Sequence, residues 1–217
     1  MKRILLIRHG QTDWNTEGRW QGQLQVPLNH AGQEQAQALA DYLRGQPITA
    51  VYSSDLSRAH VTATYVADAL QLLVKPDPRW RELHLGVLQG LTINEVNSLH
   101  PNVALGMRED YLGYEIPEGE SRRVMQARAY EAYQDIIANE PGGAIAVVSH
   151  GGTIRVLLLK LFGDSILQKS VHNTSISVIE TDGMAHHLLE TAITPHLMSE
   201  SQGIASRSDS NLKQEVL

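Results

Sequence analysis

Two histidines in this sequence each follow a short aliphatic run and precede a glycine. His9 comes after the run 4–7, and His150 comes after the run 144–148. An imidazole can act as a nucleophile, an acid or base, or a metal ligand. Continuous apolar runs are typical of central parallel strands that helices cover on both faces. If the two strands are neighbours, both histidines lie in one crevice beyond the strand ends, where open α/β sheets bind ligands.

Residues that suit an anionic ligand accompany the two histidines. Arg8 precedes the first, and Arg58 follows a third apolar run, 49–52. Gly151 opens the helix-compatible segment after the second, where small residues leave backbone N–H groups available at the positive end of a helix. Guanidinium groups suit phosphate oxygens because of their forked donors. These residues together predict a phosphate pocket.

Two other interpretations of these residues stay open. Taken one at a time, a histidine after a strand or an arginine on a helix is more often structural than functional. The convergence of three strand ends is what favours a pocket. The two histidines could also bind a metal, but the sequence has no H-E-x-x-H motif and no carboxylate at supporting spacing. We therefore rank a metal site below a phosphate pocket.

The composition excludes several classes of protein. The chain has 217 residues, of which 42% are hydrophobic and 19% charged, and this suits one globular domain with a sizeable core. Its formal net charge of -6 is opposite in sign to that of most nucleic-acid-binding proteins. Because cysteine is absent, disulfides, thiolate nucleophiles and Cys-ligated zinc are excluded. No apolar run reaches membrane-spanning length, so we expect a cytoplasmic protein without membrane or nucleic-acid partners.

Helix-compatible segments follow the predicted strands. They cover 32–44, a segment that begins at Asp55 or Ser57 and ends at Leu70, and the residues after His150. Ser121 can cap a further long helix that ends near residue 139. Strands that alternate with helices predict a doubly wound α/β fold with a mostly parallel sheet.

The rest of the chain carries a hairpin signal, two loop signals and a polar end. Asp182-Gly183 separates two strand-like segments and predicts a hairpin, hence an antiparallel pair at or near one edge of the sheet. The Pro- and Gly-containing stretches 75–81 and 101–120 are predicted to be irregular loops. We expect one domain over 1–198 and a polar, flexible tail over 199–217.

The motifs occur in the order typical of one enzyme family. Residues 6–15, LIRHGQTDWN, resemble the signature of the histidine phosphatase superfamily, which includes the cofactor-dependent phosphoglycerate mutases. Later segments are similar to its other motifs: 52–59 with Arg58, 81–83 with Glu82, 119–121, and 149–152 with His150. The resemblance covers roughly residues 3–197. It implies a three-layer α/β/α sandwich with a mostly parallel central sheet and an antiparallel edge.

The resemblance also implies a mechanism without a metal or another cofactor. His9 would attack phosphorus to form a phosphohistidine, and Glu82 would protonate the leaving alcohol and then activate water. His150 is the third implied catalytic residue, holding phosphate oxygens as the arginines do. One branch of the superfamily carries an acidic aspartate where this chain has Gly151, so Glu82 is the preferred acid. The implied substrate-binding residues are Arg8, Asn15, Arg58 and Gly151.

Hydrolysis of a small phosphomonoester metabolite is the predicted reaction. Mutases of the family share a long, basic insertion that closes over a second phosphate. Here only about thirty residues separate Gly90 from Ser121, and acids outnumber arginine among them. Such a segment neither seals a site nor attracts a doubly phosphorylated metabolite.

Two alternatives to a phosphatase remain. One is phosphoglycerate mutase activity, and the other is an inactive module that binds phosphorylated ligands, although a binder has no use for the acid Glu82. Arg122 and Arg123 either reach the mouth of the pocket or form a solvated first turn of helix, and the sequence does not decide between these. The expected partner is the small substrate, and a homodimer is left open.

Overall fold

The computed structural model describes residues 1–168 and 170–200. Its strands are β1 (Lys2–Arg8), β2 (Ile48–Ser53), β3 (Val74–Pro76), β4 (Gly143–Ser149), β5 (Ile176–Thr181) and β6 (His186–Ile193). Its α-helices are α1 (Asp13–Thr16), α2 (His30–Leu43), α3 (Ser57–Leu70), α4 (Ile93–Leu99), α5 (Pro101–Glu109), α6 (Arg122–Asn139) and α7 (Gly151–Phe162). Short 3₁₀ helices include Pro78–Trp80 and Pro195–Glu200.

The strands form one mixed sheet in the order β3-β2-β4-β1-β5-β6. The pairs β2–β3, β2–β4 and β1–β4 are parallel, whereas β1–β5 and β5–β6 are antiparallel. This confirms the predicted mostly parallel sheet with an antiparallel edge. Because β1 and β4 are neighbours and Arg8 is in register with Ser149, the residues that follow these two positions emerge side by side.

Helices cover both faces of the sheet. The alternation of side chains along β1 sends Ile4 and Leu6 toward α6 and α7, and Ile7 toward α2 and α3. The same division holds in β4, where Ile145 packs on the α6–α7 side and Ala146 on the other. The predicted three-layer α/β/α sandwich is therefore confirmed. In the described part of the chain, no helix has the length and apolar character needed to cross a membrane.

Helix boundaries follow the capping side chains. The side chain of Ser121 accepts the N–H of Val124 at 3.3 Å, so α6 starts where the sequence predicts. Helix α2 starts two residues before the predicted position because Asn29 is its cap and accepts the N–H of Gly32 at 2.8 Å. Side-chain caps thus set the starts of α2 and α6, whereas α3 and α7, which carry Arg58 and Gly151, start without a side-chain cap.

The two predicted loops are partly wrong. Helix α5 occupies the first nine residues of 101–120, with Pro101 at its first turn, where a missing N–H does no harm. Position 106, inside this helix, is a glycine because a Cβ there would clash with the ring of Tyr114. The stretch 75–81 begins within β3 and continues into a 3₁₀ helix. The predicted tail lies outside the described residues from 201 onward, and the 3₁₀ helix Pro195–Glu200 contains its first two residues.

The loop after β1 packs closely against the start of α2. A Cβ on Gly10 would clash with the carbonyl oxygen of Gly32, and a Cβ on Gly32 would clash with the backbone of Gln11. The N–H of Gly10 also donates to Thr62 Oγ1 of α3 at 3.0 Å. Two helices of one face thereby hold the loop that carries His9.

Candidate active site

The two histidines predicted from the sequence lie together at the carboxyl ends of β1 and β4. The ring centroids of His9 and His150 are 5.2 Å apart, with an angle of 59° between the ring planes. Their exposed fractions are 3% and 0%. The neighbouring positions of the two strands thus bring residues 141 positions apart in sequence into one small, enclosed site.

A hydrogen bond fixes the tautomer of His9. Its Nδ1 lies 2.7 Å from the carbonyl oxygen of Gly10, and a carbonyl oxygen only accepts, so Nδ1 carries the proton. Nε2 then carries the lone pair. Burial, followed by the charges of Arg58 and Arg8, holds the pKa of His9 well below its usual 6.5. At neutral pH this imidazole is therefore uncharged and nucleophilic at Nε2.

His150 has no hydrogen-bond partner on either ring nitrogen within the described residues. Burial and then the charges of Arg58 and His9 lower the pKa of His150 well below 6.5. An enclosed polar group without a partner costs about 1–3 kcal/mol. A ligand with hydrogen-bonding atoms beside this ring would offset that cost.

Arg58 is a buried cation whose fork is held by backbone. It is 1% exposed, and its Nη1 and Nη2 donate to the carbonyl oxygens of Leu24 and Gly22, each at 2.8 Å. Its Nε has no partner in the part of the chain that the structure describes. Burial lowers the pKa of Arg58 to about 10, with Glu82 opposing this effect, so the guanidinium stays charged at neutral pH.

Arg8 reaches the same place from the end of β1. Its Nη1 donates to the carbonyl oxygen of Val171 at 2.6 Å. A Cβ on Gly151 would lie 3.5 Å from Arg8 Nε, which places the guanidinium against the first residue of α7. The charges of Arg8 and Arg58 both act on His9. The site therefore combines two cations with two neutral imidazoles.

Glu82 lies at the start of α7, across from Gly151. Its Oε2 accepts the N–H of Gly152 at 3.0 Å, and its Oε1 accepts the N–H of Leu83 at 2.8 Å. A Cβ on Gly152 would clash with Oε1, so the carboxylate can occupy this position only beside a glycine. The sequence prediction assigned Gly151 and left out Gly152, although the pair of consecutive glycines was the available signal.

The backbone around Glu82 is fixed by residues that sequence reasoning missed. Arg128 of α6 donates to the carbonyl oxygens of Arg81 at 2.6 Å and Glu82 at 2.9 Å, and it pairs with Glu120 at 2.6 Å. Gln23 Nε2 donates to the carbonyl oxygen of Glu82 at 3.0 Å. No local pattern in the sequence identifies these contacts, because they join segments far apart in the chain.

Asn15 lies beside the backbone of His9 but uses its oxygen for local structure. Oδ1 accepts the N–H of Thr12 at 3.1 Å, which caps α1, and also accepts Asn173 Nδ2 at 3.2 Å. Asn173 Nδ2 also donates to the carbonyl oxygen of His9 at 3.0 Å. Only the Nδ2 of Asn15 is left for a phosphate oxygen, so its predicted binding role depends on that group.

The two arginines at the start of α6 differ in exposure. Arg122 is buried, and its guanidinium lies over the ring of Tyr111, so the interpretation as a solvated turn is wrong for this residue. Arg123 is exposed. Among residues 1–168 and 170–200, no group of three or more histidine or acidic side chains has the arrangement needed to hold a metal ion.

The arrangement suits a tetrahedral dianion. Two guanidinium groups supply positive charge, while His150 and Arg58 Nε supply enclosed polar atoms that have no partner among the residues the structure describes. His9 carries a lone pair on Nε2, and the Glu82 carboxylate is held at the start of α7. A phosphoryl group bound among these atoms would face a nucleophile and an acid or base.

The whole domain is similar to known proteins in sequence. The family model of the histidine phosphatase superfamily (branch 1) matches residues 4–194. Phosphoglycerate mutase-like protein 4 of Arabidopsis thaliana is 38% identical over 201 residues, with 87% of each chain covered. Glucosyl-3-phosphoglycerate phosphatase of Mycobacterium tuberculosis is 40% identical over 171 residues, which is 74% of this chain and 76% of that protein.

The fold is similar to that of a solved relative as well. The structure of mycobacterial glucosyl-3-phosphoglycerate phosphatase complexed with VO3 has a TM-score of 0.79 to this chain at 33% identity. It covers 88% of this chain and 99% of its own. The family match includes both histidines, Arg58 and Glu82. With this match and this fold, the chain belongs to the histidine phosphatase superfamily.

Proposed function

We propose that this protein hydrolyses a small phosphomonoester metabolite through a phosphohistidine on His9. The observation that carries the proposal is a pair of buried, neutral imidazoles beside two arginines. One imidazole has a fixed Nε2 lone pair, and the other has no partner on either nitrogen within the described chain. Such a pocket supplies the positioning and positive charge on which phosphoryl transfer depends.

In the first step, His9 Nε2 attacks phosphorus in line with the ester oxygen. An N–P bond forms while the P–O bond to the alcohol breaks, and the electron pair of that bond goes to the alcohol oxygen. Glu82 gives its proton to this oxygen. Arg8, Arg58 and His150 hold the three oxygens that spread out around phosphorus. The Nδ1–H to Gly10 bond keeps the attacking nitrogen deprotonated.

In the second step, water attacks phosphorus and the N–P bond breaks. The carboxylate of Glu82 takes a proton from that water, and inorganic phosphate leaves a neutral His9. Two backbone N–H groups hold the Glu82 carboxyl oxygens in place beside Gly152. These contacts fix the position of Glu82, and its acid and base roles rest on the mechanism implied by the family.

The comparisons support a phosphatase and keep the mutase alternative in view. One relative is named a glucosyl-3-phosphoglycerate phosphatase, and its mycobacterial structure is complexed with VO3. Another is named phosphoglycerate mutase-like. The substrate of this protein is therefore proposed only as a class, a small phosphorylated metabolite.

The phosphohistidine is the sharpest test of the proposal. Wild-type protein mixed with p-nitrophenyl phosphate and quenched in alkali should carry acid-labile phosphate, and His9→Ala should carry none and release no p-nitrophenol. His30→Ala is the matched control, since the His30 side chain is 86% exposed, and it should behave as wild type. Turnover by folded His9→Ala at more than a small fraction of the wild-type rate would overturn the nucleophile assignment.

A second experiment addresses substrate and metal. A panel of phosphorylated metabolites, scored by free phosphate released, identifies the class of alcohol that the site accepts. The same assay in excess EDTA should give unchanged rates, because the arginines supply the positive charge in this mechanism. Loss of activity that a divalent ion restores would favour the two-histidine metal site instead.

A further inference from the structure

A further buried cation lies on the first turn of α6, outside the set of phosphate ligands. Arg122 is 9% exposed, and its Cζ lies 4.3 Å from the ring centroid of Tyr111. Its Nη1 donates to the carbonyl oxygen of Tyr111 at 3.0 Å. A single aromatic residue thus orients the guanidinium plane and uses one of its donors.

Arg122 lies one turn before the α6 residue that contacts the first turn of α7. Met125, one turn further along α6, has its sulfur 3.4 Å from Thr153 Oγ1 in the first turn of α7. Residues three apart lie on the same face of a helix. Burial lowers the pKa of Arg122, the charge of Glu82 opposes this effect, and that of Arg155 adds to it. The guanidinium therefore lies within electrostatic reach of the proposed acid.

Arg122 forms no ion pair with a carboxylate in the described part of the chain, unlike several other arginines. Those that do pair with acids are Arg3, Arg19, Arg44, Arg79, Arg81 and Arg128. Its Nε and Nη2 likewise donate to no protein group within those residues. A buried charge without a counter-ion is unfavourable, so an anionic group of a ligand would stabilise this site.

We propose that Arg122 binds a carboxylate of the substrate, so that the preferred phosphomonoester also carries a carboxylate. This inference rests on the proposed phosphatase activity. With Nη1 bonded to Tyr111, the Nε–Nη2 edge offers two parallel donors, which match the two oxygens of a carboxylate. A second phosphate would leave its third oxygen without a partner at this edge. Arg122 is then a specificity residue.

Two substrates that differ at one end test this role. The compounds 3-phosphoglycerate and glycerol 3-phosphate share the phosphorylated carbon and the central hydroxyl, but one ends in a carboxylate and the other in a hydroxymethyl group. Wild type should prefer the carboxylate in kcat/KM by roughly tenfold to a hundredfold, the worth of a charge-assisted hydrogen bond. Arg122→Gln should remove most of that preference through KM, and change glycerol 3-phosphate turnover by less than about threefold.

Matched variants separate recognition from structure. Arg123→Gln removes the same charge from an exposed neighbour and should keep the wild-type preference. Arg122→Lys keeps the charge without the fork and should give an intermediate preference. Equal losses on both substrates, together with a lower melting temperature for Arg122→Gln, would show a structural role and overturn the inference.

A bisphosphate comparison distinguishes the two kinds of anion. Fructose 1,6-bisphosphate and fructose 6-phosphate differ by a second phosphate, and Arg122→Gln should change their ratio by less than about twofold. If the variant instead lowers that ratio and leaves the 3-phosphoglycerate preference intact, Arg122 binds a second phosphate and the carboxylate assignment is wrong.

A binding measurement keeps this inference distinct from the proposed activity. Dissociation constants of the two three-carbon phosphates in the His9→Ala protein should show the same preference without turnover, and adding Arg122→Gln should remove it. Equal dissociation constants overturn the role of Arg122 whatever the activity. Failure of wild type to form phosphohistidine or release phosphate, with the binding preference present, would refute the phosphatase proposal and leave Arg122 as a carboxylate-binding residue.

Discussion

His9 is uncharged, with its lone pair on Nε2, because of its immediate surroundings. One carbonyl group, that of Gly10, keeps the proton on Nδ1, and burial beside Arg58 and Arg8 keeps the ring neutral. The two charges that would hold a phosphate dianion thus also keep the proposed nucleophile unprotonated. His150 shares this environment, and two neutral imidazoles side by side avoid the repulsion that two imidazolium ions would suffer.

The first prediction concerns stability against pH. Because the pKa values of His9 and His150 are lowered on folding, the unfolded chain binds more protons below pH 6.5. The stability that depends on keeping both histidines neutral is fully present above pH 6.5. It is lost as the pH falls, and the free energy of unfolding then decreases by up to about 1.4 kcal/mol per pH unit for each histidine. Urea denaturation at several pH values between about 7 and 5 measures this change in the free energy of unfolding.

The buried and the exposed histidines supply the variants for this measurement. Replacing both buried histidines with Gln should flatten the slope, whereas replacing exposed His30 should not. Part of the slope should remain, because burial also lowers the pKa of His196, to about 4. A wild-type stability that stays constant below pH 6.5 would mean that the two imidazoles are not buried as neutral groups.

The second prediction tests Glu82 as the acid. An alkyl alkoxide leaves poorly without a proton, whereas p-nitrophenolate needs none, and positioned proton transfer contributes about a hundredfold to ten-thousandfold. Glu82→Gln should therefore slow phosphorylation of His9 by an alkyl phosphate severely, and by p-nitrophenyl phosphate much less. Burst-phase rates are required because the proposed mechanism also uses Glu82 in the water step. Equal losses on both substrates would assign it to positioning, and no loss would point to Asp13 or His84.

At the scale of elements, the start of α7 determines where the Glu82 carboxylate can lie. Gly152→Ala would place a methyl group against Oε1 while raising the helix propensity of that position by about 1 kcal/mol. We predict a protein of similar melting temperature with the leaving-group pattern of Glu82→Gln. Burst kinetics with alkyl and aryl phosphates provide the measurement. Normal burst rates with both kinds of phosphate ester would show that the Glu82 carboxylate can also act from another position.

The elements that carry periodic or capping signals were predictable from sequence. Helix α6 starts after Ser121, and the hairpin turns at Asp182-Gly183, because a hydroxyl cap and a tight turn depend on neighbouring residues alone. Helix α5 was missed because Gly106 resembles a breaker, yet it is a contact residue that makes room for Tyr114. That contact depends on the fold rather than on the local sequence.

The residues of the candidate site also divide into those that the sequence predicts and those that only the fold brings into place. His9, Arg58, Glu82 and His150 lie in recognisable motifs near strand ends, and the structure brings them together. Arg128 supports Glu82 through backbone carbonyl groups of a distant segment, a kind of contact that leaves no spacing pattern. Tertiary packing decides which arginine of the chain lies beside the site.

At the scale of the molecule, the segment between Gly90 and Ser121 is built into the domain. Its apolar residues form a separate cluster with parts of α6 and α7, and the members of this cluster include Val96, Ala104, Met107, Ile116, Met125 and Val156. A packed element of this kind differs from a basic lid that closes on a second phosphate. This arrangement supports hydrolysis over isomerisation.

The corresponding prediction separates phosphatase from mutase. With 3-phosphoglycerate and a bisphosphoglycerate primer, free phosphate should appear faster than 2-phosphoglycerate, because water reaches the phosphohistidine when no lid excludes it. Phosphorus NMR follows both products in one sample. Faster isomerisation would establish the mutase alternative.

The last prediction concerns the end of the chain. The polar composition of 201–217 indicates that it contributes little to the core, so deleting these residues should leave melting temperature and turnover unchanged. Calorimetry and the p-nitrophenyl phosphate assay, run on both lengths of chain, measure this. A clear fall in either quantity would show that the segment is docked on the domain.

The contact between Gly10 and Gly32 has a consequence for how this sequence can evolve. Each residue already has the smallest side chain available, so a larger residue at one position cannot be compensated by a smaller one at the other. In a packed interior, the usual way to accept a larger side chain is to place a smaller one nearby. Gly10 and Gly32 cannot compensate each other in this way. The loop that carries His9 must therefore keep its present backbone, and sequence variation in the candidate site must occur at other positions.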